Sequence, residues 1–311
     1  MILGSGMRME NEFMGGIAIS QLGDMANSAS SVTQFGNDAV SYNNKLYLKS
    51  NYMYGSTYKD FGFQSLNINT GSWCSLTSAT LNSNTYGVEN IGDKLYIITS
   101  DNTGSATVIG VTPYTPLTDT WGTTKAFYYT YGEDIRTASI GNLIYIAYEY
   151  ANTSGSYTWH MKNYNTSTSA ISSDLNFSVI TTQAQSSTSF EICNISGSII
   201  CTAGSYIYKY EVASNTTTNV MNCALKRNMK RLCNINDFIY RGYEDGDDFV
   251  LEKIDIEKGI ISSSYININR ASNEYVVHLT AGTDEKLYTY GFYEYPGYAS
   301  TGTTYRIVPK E

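Results

Sequence analysis

NNKLYLKSN, residues 43–51, and IGDKLYIITS, residues 91–100, each place a Leu-Tyr pair just after a tight polar turn. Leu95-Tyr96 follows Leu46-Tyr47 by 49 residues. Ile144-Tyr145 in GNLIYIAYEY falls another 49 on, Ile239-Tyr240 in NDFIYRGYED 95 beyond that, and Leu287-Tyr288 in TDEKLYTYG 48 further. The double gap holds a weaker copy near its midpoint, Ile199-Ile200 in ISGSIICTAG. These markers define six units with a period near 48, in the range of propeller blades.

Each unit repeats more than the marker. An alternating run precedes it, joined to it by a turn such as NN, GD, GN, SG or ND. A third run follows, for example ATVIGVTPY (106–114) or FVLEKIDI (249–256), then a turn into a fourth, such as GSWCSLT or GIISSSYI. All are of strand length, and no stretch carries a sustained 3.6-residue period with helix caps. The expected fold is all-β: a six-bladed propeller of four-stranded antiparallel blades, whose radial packing hides both apolar faces of every sheet. The sixth unit ends after its third strand, while a surplus strand, GGIAISQLG (15–23), precedes unit one. That strand is expected to complete blade six beside residues 305–310 and so lock the ring. Residues 1–14 read as a leader and 15–311 as one propeller, with blades at about 30–79, 80–127, 128–178, 186–224, 227–268 and 271–311.

Composition agrees with strands and turns. The 311 residues include 29 Tyr and only 4 Pro, and Asn, Ser and Thr supply most of the polarity. Charged residues make up 15%, with a net charge of -8, which disfavours a nucleic-acid backbone binder. The one basic cluster, LKRNMKR (225–231), reads as a solvated turn. No run is long and apolar enough for a membrane helix. Five cysteines (74, 193, 201, 223 and 233) without a CxxC read as buried thiols, with one Cys193–Cys201 disulfide left open.

The runs KLYIITS and LIYIAYE, with NINTGSW (Trp73) and TPLTDTW (Trp121) further along their units, resemble the kelch-repeat propellers and the galactose-oxidase central domain. Kelch units carry a Gly-Gly doublet after the second strand; here Lys49-Ser50, Thr99-Ser100 and Tyr148-Glu149 stand instead. The resemblance therefore implies blade architecture more than activity. The copper site known in galactose oxidase needs two His converging. His160 and His278 fall in different blades, so neither a metal nor any other cofactor is expected. Sialidase-like Ser-x-Asp-x-Gly-x-x-Trp boxes, HExxH, P-loop and GxSxG motifs do not occur. The acidic run YEDGDDF (243–249) lacks EF-hand spacing and reads as a hairpin.

Two places remain for function. Counting eight residues back from each marker along the innermost strand gives Asp38, Gly87, Arg136, Glu191 and Arg231. Glu89 lies two beyond Gly87 on the same face, and the longer turn of unit six shifts the register towards His278. Asp38, Glu89, Arg136, Glu191, Arg231 and His278 are thus expected to line the channel, pairing between blades or holding a small polar ligand. The second place is a rim of tyrosines. SNYMYGSTYKDFG carries Tyr52, Tyr54 and Tyr58, and GFYEYPGYASTGTTY carries Tyr293, Tyr295 and Tyr298, on loops of neighbouring blades. Tyr suits glycan or protein contacts, since it offers area and a hydroxyl at low ordering cost.

With no assembled catalytic set, the leading expectation is a non-enzymatic recognition or adhesion propeller binding a glycan or protein through top-face loops. It would be extracellular, on a cell surface or on a virion, and not inserted in a membrane. A structural component of a surface or phage particle is one alternative, and an oligomer is left open. A carbohydrate-active enzyme using two of Asp38, Glu89 and Glu191 is another.

Overall fold

The computed structural model describes residues 17–24, 32–54, 57–72, 77–79, 84–102, 107–129, 134–151, 156–182, 190–224, 229–245, 248–266, 274–293 and 302–309. The expected leader, most of the basic cluster, Cys74, Tyr295 and Tyr298 lie outside them. Among the described residues no helix is long and apolar enough to cross a membrane.

The strands form antiparallel sheets arranged as a propeller. Blade one holds β2 (Val32–Tyr42), β3 (Lys45–Tyr54), β4 (Thr57–Asn67) and β5 (Thr77–Ala79). Blade two holds β6 (Asn84–Ile91), β7 (Lys94–Asn102), β8 (Thr107–Thr115), β9 (Thr120–Trp121) and β10 (Lys125–Tyr129). Blade three holds β11 (Ile135–Ile140), β12 (Leu143–Ala151), β13 (Ser156–Asn165), β14 (Ala170–Ile171) and β15 (Val179–Thr182). Blade four holds β16 (Phe190–Ile195), β17 (Ser198–Ala203), β18 (Tyr206–Glu211) and β19 (Thr216–Asn222). Blade five holds β20 (Met229–Ile235), β21 (Phe238–Asp245), β22 (Asp248–Asp255) and β23 (Ile260–Ile266). The remaining sheet is composite. It runs β24 (Glu274–Ala281), β25 (Leu287–Tyr293), β26 (Gly302–Pro309) and then β1 (Ile17–Asp24), with Ile17 opposite Pro309 and Asp24 opposite Thr303.

The expectation of six uniform four-stranded blades is corrected. Among the described residues five sheets take all their strands from one continuous stretch, and two of those have five strands. In blade two the outer strand is split. Pro113 has no N–H to offer a ladder, and the chain crosses it at Gly122, whose amide donates to Pro113 O at 2.8 Å. A Cβ on Gly122 would stand 2.6 Å from the Pro113 ring, so only glycine passes there undisturbed. In blade three the outer edge detaches after Ile171 and rejoins β13 at Val179. Between them Asp174 binds Lys162 at 3.0 Å and Phe177 is buried.

Packing follows from the repeat. Leu46, Leu95, Ile144, Ile199, Ile239 and Leu287 are all buried on the second strands. Each such side chain contributes roughly 1.5–3 kcal/mol by leaving water. In a radial sheet, successive side chains point to the seams on either side. The apolar clusters accordingly span neighbouring blades. One cluster holds Tyr47 with Val88 and Ile97, another Tyr96 with Ile144 and Ile146, and another Trp159 with Phe190. Cys193 shares a cluster with Ile239, Leu251 with Leu279, and Leu46 with Tyr288. Trp159 stacks on Phe190 with centroids 3.7 Å apart and planes at 10°. The marker turns hold positive φ at Asn43 (49°) and Asn44 (57°), and at Gly92 and Gly141 in the equivalent turns, as two-residue hairpins require.

Cys193 stands opposite Ile200, and Cys201 opposite Ile192. They face different seams, and both are free thiols, as are Cys223 and Cys233.

Candidate functional site

The innermost strands β2, β6, β11, β16, β20 and β24 contact one another in turn around the axis. Near their marker turns all of them line one axial cavity of about 220 Å³. Ser41, Asn90, Ser139, Asn194 and Asn234 share one level, each directly opposite the first marker residue of its own blade. Five small polar side chains therefore ring the cavity at a single register.

The ring is tied together across blades. Asn90 Nδ2 donates to Ser41 O at 3.1 Å, and Asn194 Nδ2 donates to Ser139 O. Thr280 Oγ1 donates to Ala39 O at 3.3 Å. Asn90 Oδ1 is buried without a hydrogen-bond donor among the described residues. A buried unsatisfied acceptor costs about 1–3 kcal/mol, so it is a feature that calls for a partner.

Glu89, one residue before Asn90, is the one Asp, Glu, Lys, Arg or His among the described residues lining the cavity. It is 6% exposed. Its carboxylate points at blade three, where Thr137 Oγ1 donates to Oε1 at 2.7 Å and Ser139 Oγ donates to Oε2 at 2.9 Å. The bulge between Thr85 and Gly87 brings Gly87 against Thr137. The missing Cβ is what lets that hydroxyl approach. The thiols of Cys193 and Cys233 occupy the register of Glu89 in blades four and five.

Arg136 and Glu191 precede the lining residues Thr137 and Ile192 by one position each. Arg136 Nε donates to Glu191 Oε1 at 2.7 Å and to Phe190 O at 3.1 Å, and Nη1 donates to Ile135 O at 2.9 Å. Asp134 stands 3.6 Å from Nη1. The two residues thus form a neutralised pair across the seam between blades three and four. Asp38, Arg231 and His278 lie on the inner strands, but their side chains are outside the described residues.

The side chains of the six rim tyrosines lie outside the described residues. Tyr52, Tyr54 and Tyr58 belong to a strand ladder, with Tyr52 opposite Asp60, Met53 opposite Tyr58 and Tyr54 opposite Thr57. The stretch expected as a long loop is largely hairpin. Tyr293 ends β25, opposite Glu274. Among the described residues no group of three His, Cys, Asp or Glu converges as metal ligands.

The polar ring and the Glu89 donors were missed in the sequence. The signal was present five residues before the marker, where Ser, Asn, Ser, Asn and Asn recur in five units; the eight-residue count passed over it.

No family model matches the sequence, and no curated protein matches it. Solved structures do resemble the fold. The neuraminidase-like protein of A/little yellow-shouldered bat/Guatemala aligns over 92% of this chain and 98% of its own, with 10% identity and a TM-score of 0.57. Trypanosoma rangeli sialidase, solved with the inhibitor DANA, aligns over 88% of this chain, at 10% identity and a TM-score of 0.58. The match spans 55% of the sialidase chain. YjhT aligns over 91% of this chain and 99% of its own, at 9% identity and a TM-score of 0.52.

At such identities the likeness is one of fold. It nevertheless corrects two expectations. The kelch and galactose-oxidase resemblance is replaced by a likeness to neuraminidase- and sialidase-type propellers. The reading as a non-enzymatic recognition or adhesion module, and the leaning away from an enzyme, rested on missing motifs. A sialidase shares this architecture at 10% identity, so missing motifs do not separate the chain from enzymes of that shape.

Proposed function

We propose that the chain is a carbohydrate-active enzyme that holds a sugar unit in the axial cavity and uses Glu89 to handle its protons. One observation carries this reading: all six inner strands converge on a single polar cavity containing one buried carboxylate. The ring of Asn and Ser side chains suits hydroxyl groups, which need both donors and acceptors. Glu89 is held in one rotamer by Thr137 and Ser139, as a general acid or base has to be. The Arg136–Glu191 pair, one residue before the lining, places a second carboxylate on β16, beyond β11 from Glu89. The likeness to a sialidase and a neuraminidase-like protein adds support for sugar chemistry.

The test is release of umbelliferone from a panel of neutral and acidic umbelliferyl glycosides. Glu89→Gln should lower turnover by about 10²–10⁴ with the melting temperature nearly unchanged. Failure of the unmodified protein to cleave any member, or full turnover by Glu89→Gln, overturns the reading.

A further inference from the structure

Asn90 on β6, Asn194 on β16 and Asn234 on β20 stand at one level of the axial cavity, but their amides are not equivalent. Asn90 Nδ2 donates to Ser41 O at 3.1 Å, and Asn194 Nδ2 donates to Ser139 O, so each of these amides is tied to the preceding blade. The matching bond from Asn234 to Asn194 is not made, and no described residue takes the Asn234 amide hydrogens. Asn90 Oδ1 has the complementary need. It is buried, and no hydrogen-bond donor reaches it. Because Nδ2 is tied to Ser41, the amide cannot turn over without giving up that bond. Asn90 borders the cavity, so a donor for Oδ1 has to come from what the cavity holds.

The two residues stand on opposite walls. Strands β6, β11, β16 and β20 contact one another in turn, and so do β20, β24, β2 and β6. From β6 to β20 is therefore three steps round the ring in either direction. The cavity, about 220 Å³, is near the lower end for small-molecule pockets and has room for one sugar ring.

We infer that Asn90 and Asn234 grip one sugar ring by hydroxyls on its opposite edges, and that these two residues determine which sugar the cavity takes. This rests on the proposed carbohydrate reading and narrows it. One hydroxyl donates to Asn90 Oδ1. Another, across the ring, accepts from the Asn234 amide. Neither contact uses the Glu89 carboxylate, so recognition and proton handling fall on different side chains. A sugar without the first hydroxyl leaves Asn90 Oδ1 buried and bare, which is how a polar site discriminates strongly.

Titration calorimetry on the purified protein tests this with the methyl glycosides of galactose, glucose, mannose and N-acetylglucosamine. Single deoxy and deoxyfluoro analogues follow for each that binds. Fluorine takes the place of a hydroxyl but cannot donate. At one position both replacements should weaken binding about ten-fold or more, and Asn90→Ala should reduce that penalty to about two-fold or less. At a different position the deoxy analogue should lose about as much, and Asn234→Ala should relax that penalty instead. Thermal melts confirm that folded proteins are compared, and the unmodified protein alone gives a decisive reading where a variant does not fold. There, analogues tolerated within about two-fold at every position overturn the grip. Penalties that survive in either variant, or that both variants relax at the same hydroxyl, overturn the pair and leave the carbohydrate reading standing. Absence of binding by all four glycosides overturns the carbohydrate reading itself, and the pair with it.

Discussion

Gly87 and Thr137 meet across the seam between blades two and three so closely that a Cβ on residue 87 would stand 2.3 Å from Thr137 Oγ1. That hydroxyl is the donor to Glu89 Oε1. The glycine therefore determines where a hydroxyl stands, and the hydroxyl determines where a carboxylate points. Gly87→Ala should push Thr137 aside, destabilise the fold by about 1–3 kcal/mol and lower turnover together with stability. Gly87→Ala combined with Thr137→Ala relieves much of the clash, so the two costs should not add. Urea denaturation of the four proteins measures the coupling, and strict additivity would show that the contact is not felt.

Blade five contains a second buried charge arrangement, away from the cavity. Arg241 and Glu252 pair on neighbouring strands, with Arg241 1% and Glu252 3% exposed. Tyr243 Oη donates to Glu252 Oε1 at 3.2 Å, and Arg241 Nη1 reaches Cys223 Sγ at 3.5 Å, at the end of blade four. Removing one partner strands a buried charge, so Arg241→Met alone should cost about 3–5 kcal/mol. Arg241→Met with Glu252→Leu should cost much less, because an apolar pair needs no compensating charge. Chemical denaturation midpoints decide it: a double variant weaker than either single one contradicts this account.

Much of the fold was legible because the marker is a packing requirement. Leu46-Tyr47, Leu95-Tyr96 and their counterparts are buried between blades, so each unit must repeat them. The site was legible at Glu89, just past the Thr85–Gly87 shift of β6, and where the inner strand is regular throughout. Strands β11 and β16 pair with their neighbours without a register shift, and there the eight-residue count found Arg136 and Glu191, which meet. Shifts between Phe35 and Ala39, Met229 and Leu232, and Val276 and His278 break the alternation at Asp38 and Arg231 and beside His278. Counting residues cannot reveal a bulge that local chain geometry creates. The split outer strands of blades two and three were hidden for a related reason, since a strand's detachment depends on what crosses it, as Gly122 crosses Pro113.

Acid sensitivity should involve the long turn of the composite blade. Burial alone would raise the Asp284 pKa, but hydrogen bonds from Lys286 and Tyr288, each 2.9 Å from Oδ2, outweigh it and hold the carboxyl below its ordinary value. A carboxylate with a lowered folded-state pKa adds stability that is complete above its unfolded value, near pH 4, and lost as the pH falls through the folded one. Asp284→Asn should therefore lower the melting temperature at pH 7, and the difference from the unmodified protein should shrink towards pH 3. A difference that grows on acidification would contradict the assignment.

The pairing of β1 with β26 makes the two chain ends one sheet, and its loss should be felt by the whole ring. Ala18 stands opposite Val308 and Ser20 opposite Arg306, so β1 covers the outer edge of β26. Deleting residues 17–24 would leave that edge with unpaired N–H and C=O groups, a template for pairing with another molecule. It also removes a clasp between distant parts of the sequence, so among the described residues the composite sheet would be held to blade one by the seam of Leu46, Leu66, Ile68 and Tyr288 and by contacts such as Thr280 to Ala39 and Thr283 to Ser41. The truncated protein should melt at lower temperature and associate in a concentration-dependent way, both visible by light scattering during a thermal scan. A synthetic peptide of residues 15–24 should restore the monomer, because it can reoccupy the same ladder. A truncated protein as stable and monodisperse as the full chain would show that the inner seams alone keep the ring closed.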